Sequence, residues 1–201
     1  MHVDAEAVAR LEAAYGRPAL LTVEQSISRD EAGIVQRSLD RGRRHDMTLF
    51  IFDPAGRLAL IRKPFHPPGV YRAPSGGVRP GEAPDQGALR EGYEETGLRA
   101  RLHRYVLRVD ALFLPPDGQI LSWQSHVFTA FCPEPPPHPR PVDTEEIAEV
   151  RWATLEELQG PVRRALLESG RGLLRYRASL TDAVAALLHL HPDWRPGGGC
   201  R

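Results

Sequence analysis

Half of the residues between Pro64 and Gly81, nine of eighteen, are proline or glycine. No helix can run through such a stretch, because proline fixes φ and lacks a donor while glycine costs backbone entropy to order. A long loop therefore sits in the middle of the chain, with room for only a short strand at 70–72, and the regular elements must be arranged around it. Upstream, MTLFIF, the turn Asp53-Pro54-Ala55-Gly56 and LALIR predict a hairpin of two buried strands, with the main sheet beginning at Asp46. Downstream, the spacing predicts a helix from Asp85 to Thr96, stopped by Gly97.

Beyond this helix, LHRYVLRVDALFL and SWQSHVFTAF flank the turn Pro115-Pro116-Asp117-Gly118 and predict a second antiparallel pair. A proline-rich loop from Pro133 to Pro141, a short strand IAEVRW, a helix opened by the capping-box pattern at Thr154 and a helix from Leu180 to Leu190 follow. Near the N-terminus, Ala7, Val8, Leu11 and Ala14 lie at helical spacing before Gly16-Arg17-Pro18, whereas residues 19–45 are ambiguous. The order strands, helix, strands, helices gives an α+β fold, a mixed sheet with helices on its faces. The expected divisions are 1–45 (N-terminal helix and extension), 46–160 (main domain), 161–193 (C-terminal helical extension) and 194–201 (a flexible glycine-rich tail).

Charge excludes some functions. With 26 basic and 26 acidic residues the chain has no general field to attract a nucleic acid, so any anion site must be built from local charge. No apolar run approaches the roughly 20 residues of a membrane span, and the N-terminus lacks the pattern of an export signal, so a cytoplasmic protein is expected. Cys132 and Cys200 stand apart, without a CxxC pair, and indicate neither a disulfide framework nor a thiolate metal site. Basic residues are 25 Arg against the single Lys63, and Asn is absent. No function is assigned to that bias.

Chemistry concentrates in GVRPGEAPDQGALREGYEETGL, which starts at Gly77. At about 100° per residue, Glu91, Glu94 and Glu95 fall within an arc of roughly 100°, with Leu89, Tyr93 and Thr96 expected to face the packing side. Like charges at i, i+3 and i+4 repel, so such a helix either leaves them in water or uses them to hold a cation. The glycine-rich approach and Arg90 favour the second reading: glycines admit close backbone approach, and Arg90 can orient a carboxylate. Oxygen-only ligands suit Mg²⁺ or Mn²⁺, which retain waters and bridge to phosphates.

The pattern Gly76, five residues, Glu82, seven residues, Arg90-Glu91, two residues, Glu94-Glu95, one residue, Gly97-Leu98 resembles the Nudix box of the Nudix hydrolases. One position departs: Gly92 stands where the family prefers an aliphatic side chain. The resemblance spans about Asp46 to Leu158 and implies a Nudix-type α/β/α sandwich and a pyrophosphohydrolase. Its substrate would be a nucleoside diphosphate linked to another moiety, with ADP-ribose or a nucleotide sugar favoured and (d)NTPs or dinucleoside polyphosphates also open. It implies Glu91 and Glu95 as metal ligands, Glu94 as a further one, Gly76 as a backbone ligand, and Glu82–Arg90 as a supporting ion pair.

A loop acid often completes such sites. Asp143, Glu145 and Glu146 are the candidates, and Glu146, six residues before Trp152, is preferred as general base because some related sequences share that interval. Arg62, Lys63, Arg72 and Arg79 flank the box and are the expected phosphate contacts. Tyr71, Phe113 and Trp123 are aromatic groups able to stack on a base, while His66 and His126 are left outside the site. Subfamily marks are weak: Pro115 lies 17 residues past Leu98, where ADP-ribose-splitting relatives commonly have a proline about 15 past the box, Phe113 stands in the area where dinucleoside-polyphosphate hydrolases often have tyrosine, and no coenzyme A signature precedes Gly76. The terminal helices could form a dimer surface or a substrate lid. The alternative is a non-catalytic nucleotide-binding module or regulator of the same fold, although such proteins commonly lose box carboxylates that are intact here. An isopentenyl diphosphate isomerase would need a cysteine before the box, and none is present.

Overall fold

The computed structural model describes residues 3–196. Cys200 and most of the expected glycine-rich tail lie outside the described residues. The elements are α1 (Ala5–Tyr15), β1 (Ala19–Ser26), α2 (Arg29–Asp40), β2 (His45–Phe52), β3 (Leu58–Arg62), β4 (Ser75–Gly76), α3 (Pro84–Thr96), β5 (Arg101–Leu114), β6 (Leu121–Phe131) and β7 (Glu149–Ala153). They are followed by α4 (Leu155–Glu157), a π-helical turn (Leu158–Val162), α5 (Arg163–Glu168), α6 (Gly172–Leu190) and a 3₁₀ turn (Pro192–Trp194). Thr154 opens α4 with both bonds of the expected capping box.

The sheet runs β1-β5-β6-β2-β3-β7, with β4 added to β2. It is mixed, since β1–β5 and β2–β6 are parallel while β5–β6, β2–β3 and β3–β7 are antiparallel. All eight residues of β2 are buried, as befits a central strand covered on both faces. Its alternation sends Met47, Leu49 and Ile51 into a core with residues of α1 and α3. Phe50 and Phe52 join the larger core beneath α2, α5 and α6 on the other face. Asp46 and Thr48 share the parity of Phe50, so both point to the α6 side, where Arg177 meets them.

Three expectations change. The sheet begins at Ala19 rather than Asp46, because β1 pairs with β5 over its whole length. The helix expected at Leu180–Leu190 starts one strand-length earlier, at Gly172, and buries Leu174, Tyr176, Ala178, Leu180, Val184 and Leu188 in the main core. The strand expected at 70–72 reduces to a bridge between Ile61 and Arg72. The terminal segments thus contribute directly to the sheet and its core. Among the described residues no helix is long and apolar enough to cross a membrane.

Candidate active site

The edge of β2 divides. At one end it meets β3 through Phe52 and Leu58, and at the other Met47 and Thr48 pair with Gly76 and Ser75 of β4. The backbone N–H of Leu49 donates to the Pro74 carbonyl at 3.0 Å, fixing the last part of the proline- and glycine-rich loop against the sheet. Gly76 is thereby presented beside α3.

Helix α3 lies close on β2 because it lacks bulk there. A Cβ on Gly92 would stand 2.7 Å from Leu49 Cδ1, so these sheet side chains occupy the room that an aliphatic residue at this position would fill. The buried face consists of Gly87, Ala88, Gly92, Glu95 and Thr96. The expected packing face is corrected in part. Thr96 is buried, but Tyr93 is exposed under the Arg99 guanidinium and Leu89 is only half-buried, because the small residues rather than the large apolar ones meet the sheet.

Arg90 organises the box. Its Nε and Nη2 donate to the two oxygens of Glu82 at 2.8 and 2.9 Å, and Nη2 also donates to the Gly77 carbonyl at 2.9 Å. Nη1 reaches Glu91 at 2.9 Å and Glu94 at 2.8 Å. Donation from Arg90 holds the Glu82 carboxyl below its ordinary value, and the same bonds raise Arg90 above its own. Glu94 accepts in addition from Arg79 Nη2 at 3.0 Å.

Glu95 is buried, with 2% of its surface exposed. It accepts from the Ser75 N–H at 2.6 Å and faces Arg72 Nη2 at 3.4 Å. Burial pushes its carboxyl up, against the pull of Arg72, Lys63 and the Ser75 amide. Arg72 is itself held by the Ala73 carbonyl at 2.8 Å and Ser75 Oγ at 2.9 Å.

These elements border a cavity of about 220 Å³. Of the residues expected from the sequence, Gly76, Glu91, Lys63, Arg72 and Glu146 line it, together with the aromatic candidates Phe113 and Trp123. Glu94, Glu95, Arg62, Arg79 and Arg90 do not reach its wall: Arg62 donates to Glu149 at 3.2 Å, and Arg79 lies with Glu94 on the outer side of the box. Tyr71 is also elsewhere, beneath the Arg151 guanidinium.

Glu146 reaches the cavity because its loop is fastened to α3. The N–H groups of Val142 and Asp143 both donate to the Glu94 carbonyl, at 3.0 and 2.9 Å, and the Asp143 carboxylate accepts from the Glu145 and Glu146 N–H groups at 3.1 and 2.9 Å. Asp143 thus shapes the loop, whereas Glu146 forms an ion pair with Lys63 on the cavity wall.

Three charged lining residues escaped sequence reasoning: Arg43, Asp46 and Arg177. Asp46 accepts from Ser125 Oγ and from Arg177, Arg177 Nη1 donates to Thr48 Oγ1 at 3.1 Å, and Tyr176 OH donates to Ser125 Oγ at 2.7 Å. Burial alone would raise the Asp46 carboxyl, but Arg177, Ser125 and Arg43 outweigh it and hold it below the ordinary value. The Arg43 guanidinium stands 5.6 Å from the Trp123 ring centre. No local pattern links positions 46 and 177; only the parity of β2 inside an α-helical layer brings them together.

A hard divalent cation requires oxygen donors. Glu91 and Glu146 offer them at the cavity, with Glu95 buried behind Ser75 and with Gly76 leaving open the space a Cβ would take from Glu91. Among the described residues no three acidic, imidazole or thiol groups converge as a ready metal cage, since Arg90 holds Glu91 and Glu94 while Ser75 and Arg72 hold Glu95. The donor chemistry fits Mg²⁺ or Mn²⁺ and not a soft ion.

Residues 42–175, which contain the box, the divided edge of β2 and the Glu146 loop, match the NUDIX domain. The chain belongs to the NUDIX domain family. It is 27% identical over 124 residues to the NAD-capped RNA hydrolase NudC of Photobacterium profundum, a match covering 59% of this chain and 43% of that protein. The chain therefore spans less than half the length of this curated relative. The NUDIX fold recurs in a UDP-X diphosphatase (TM-score 0.50, 17% identity, covering 80% of this chain and 72% of that one). It recurs again in the NUDIX domain of Shewanella oneidensis NrtR complexed with ADP ribose (TM-score 0.50, 15% identity, covering 72% of this chain and 87% of that one).

Proposed function

We propose that the chain is a metal-dependent pyrophosphohydrolase cleaving the diphosphate of a nucleoside diphosphate linked to a second moiety, with ADP-ribose or a nucleotide sugar favoured. One observation carries this reading: a single cavity joins the box residues Gly76 and Glu91, the loop acid Glu146, four cations (Arg43, Lys63, Arg72 and Arg177) and the aromatic wall of Phe113 and Trp123. Those are the groups that a nucleotide diphosphate demands: cations for its phosphates, a flat ring for its base and acids for a metal and a proton.

Glu91, with Glu95 and Gly76 behind it, would hold Mg²⁺ or Mn²⁺, and Glu94 would add to the negative field through Arg90. When bound, the ion neutralises diphosphate charge and lowers the pKa of a bound water. Lys63 and Arg72, which border both the box and the loop, would take the phosphate oxygens; Arg62 and Arg79 lie too far from the cavity wall to be direct contacts. Glu146 would accept the proton of the attacking water at Oε2, with Oε1 held by Lys63. A cytoplasmic setting, in which nucleotide derivatives are available, fits this activity.

The NAD-type and ADP-ribose ligands named for the relatives belong to the same chemical class. The test is purified protein with Mg²⁺ or Mn²⁺ against ADP-ribose, nucleotide sugars, dinucleoside polyphosphates, NADH, coenzyme A and the (d)NTPs, scoring phosphate released after phosphatase coupling. Turnover of at least one that is lost in Glu91→Gln is expected. Tight binding of ADP-ribose with no turnover of any compound would instead make the chain a nucleotide-binding module.

A further inference from the structure

Beside the reaction cavity lies a larger, half-open chamber of about 550 Å³, bordered by the start of α2, the loop after β3 and the start of α6. Ile34, Lys63, Arg72, Leu173 and Arg177 line both spaces and form the wall they share. The three cations of that wall each face a carboxylate: Lys63 meets Glu146, Arg72 meets Glu95 and Arg177 meets Asp46. Arg171 differs. Its guanidinium stands 5.8 Å from the Phe65 ring centre, and among the described residues no carboxylate pairs with it.

Two acids, Asp30 and Glu31, also line this chamber, and among the described residues neither pairs with Arg171. Glu31 accepts from the N–H groups of Ser28, Gly172 and Leu173, at 2.9, 3.2 and 2.9 Å, and so serves to fasten α2 to α6. Asp30 is exposed at the rim, as is Arg171. His66 lines the chamber with only 7% of its surface exposed, and its buried Nδ1 has no hydrogen-bond partner among the described residues. Burial, and then the charges of Arg72, Arg171, Lys63 and Arg62, push the imidazole down to about 4. A neutral ring with an unused nitrogen is thus crowded by cations, one of them unpaired.

We propose that this chamber is a second phosphate subsite, in which Arg171 and His66 hold a phosphoryl group borne by one of the two moieties flanking the scissile diphosphate. The inference rests on the reading that the first cavity holds that diphosphate. Arginine's planar fork and a buried imidazole N–H are suited to phosphate oxygens, and the apolar side chains of Phe65, Leu173 and Leu174 would cover the connecting group. Within the substrate class proposed above, the subsite adds a preference for derivatives that carry a further phosphate.

Two measurements test this. First, the His66 imidazole is followed by NMR through a pH titration, with inorganic phosphate as the probe, assigned with His66→Gln. Phosphate should raise the His66 midpoint from about 4 by roughly one unit or more, because an anion offsets the surrounding cations, and Arg171→Ala should abolish the rise. An unmoved midpoint at high phosphate, or a rise that persists in Arg171→Ala, overturns the subsite. Second, kcat/KM is compared for NADPH against NADH and for coenzyme A against dephospho-coenzyme A. The phosphorylated member of at least one pair should be favoured about tenfold, mainly through KM, with the preference lost in Arg171→Ala and partly restored in Arg171→Lys. Cleavage with no preference in either pair overturns the inference while leaving the hydrolase reading standing. If none of the compounds in the wider panel is cleaved, the hydrolase reading fails, and the NMR titration still decides the subsite.

Discussion

Gly76→Ala is the most economical test of the site, because it adds one methyl group and removes nothing. Gly76 has ordinary backbone angles, so alanine brings no backbone strain, but its Cβ would lie 1.9 Å from Glu91 Oε2 and 2.0 Å from Cδ. Ordinary contact begins near 3.4 Å, so the Glu91 carboxylate must retreat by roughly 1.5 Å. A misplacement of about 1 Å at a reacting centre costs on the order of 10²-fold, about 2.7 kcal/mol of transition-state stabilisation. The fold should barely respond: a flexible side chain gives way, and the lost Arg90–Glu91 contact is offset by the smaller entropy of the unfolded alanine chain, leaving Tm within about 4 °C of the parent. Steady-state kinetics over a Mg²⁺ series, thermal unfolding and the matched control Gly160→Ala, whose Cβ would meet nothing within 4 Å, make up the experiment. A kcat within threefold of the parent at the parent's metal requirement would refute the placement of Glu91 against Gly76.

Glu91→Gln should raise the metal concentration needed for half activity, whereas Glu146→Gln should lower kcat by about 10² to 10⁴-fold at an unchanged metal requirement; a slow Glu145→Gln beside a normal Glu146→Gln would show the base misassigned. Arg177→Met leaves Asp46 buried beside Ser125 without its guanidinium and should cost about 3 kcal/mol, seen as a fall in Tm on the order of 10 °C, and an unchanged Tm would remove this pair from the fold's supports. For Glu31, burial is outweighed by the amides of Ser28, Leu173 and Gly172, so the folded carboxyl lies below its ordinary 4.5. Its stabilisation is therefore full above that value and lost as pH falls through the depressed one, and the Tm gap between the parent and Glu31→Gln should be constant near pH 7 and close in acid; a gap that widens in acid would reverse the sign.

The box was legible because its chemistry is local: Gly76, Glu82, Arg90 and Glu91 lie within sixteen residues, and the bonds of one arginine join Glu82, Glu91 and the Gly77 carbonyl next to Gly76. Strand β1 was not, since it is an edge strand of alternating half-buried and exposed residues, whose partner β5 lies some ninety residues on. Helix α2 carried a local signal, since Ala32, Val35 and Leu39 lie at helical spacing towards the core and Ser28 and Glu31 form a capping box that marks its start. Phe113 and Trp123 were read as stacking candidates and line the cavity, but Arg43, Asp46 and Arg177 gave no sign. The last two depend on a contact across 131 residues, which composition and spacing do not encode. The packing face of α3 misled for a different reason: Gly87 and Gly92 have no hydropathy signal, although the smallness of Gly92 lets the helix lie on the sheet and that of Gly87 admits Val78 and Glu82 of the entry loop.

The seam between the end of α3 and the loop at 140–146 has a consequence for anyone who alters this chain. Two loop amides share the Glu94 carbonyl, and the Arg140 carbonyl oxygen would lie 2.3 Å from a Cβ on Gly97. Helix and loop are thus clasped backbone to backbone, so a shift of the helix drags Glu146 with it. Added residues should be absorbed upstream, in the exposed proline run around residues 133–138, where slack does not reach the clasp. A single residue inserted between Asp143 and Glu146 would instead rotate the acid off the cavity while every box side chain stayed in register, a defect that aligning the box alone would never reveal.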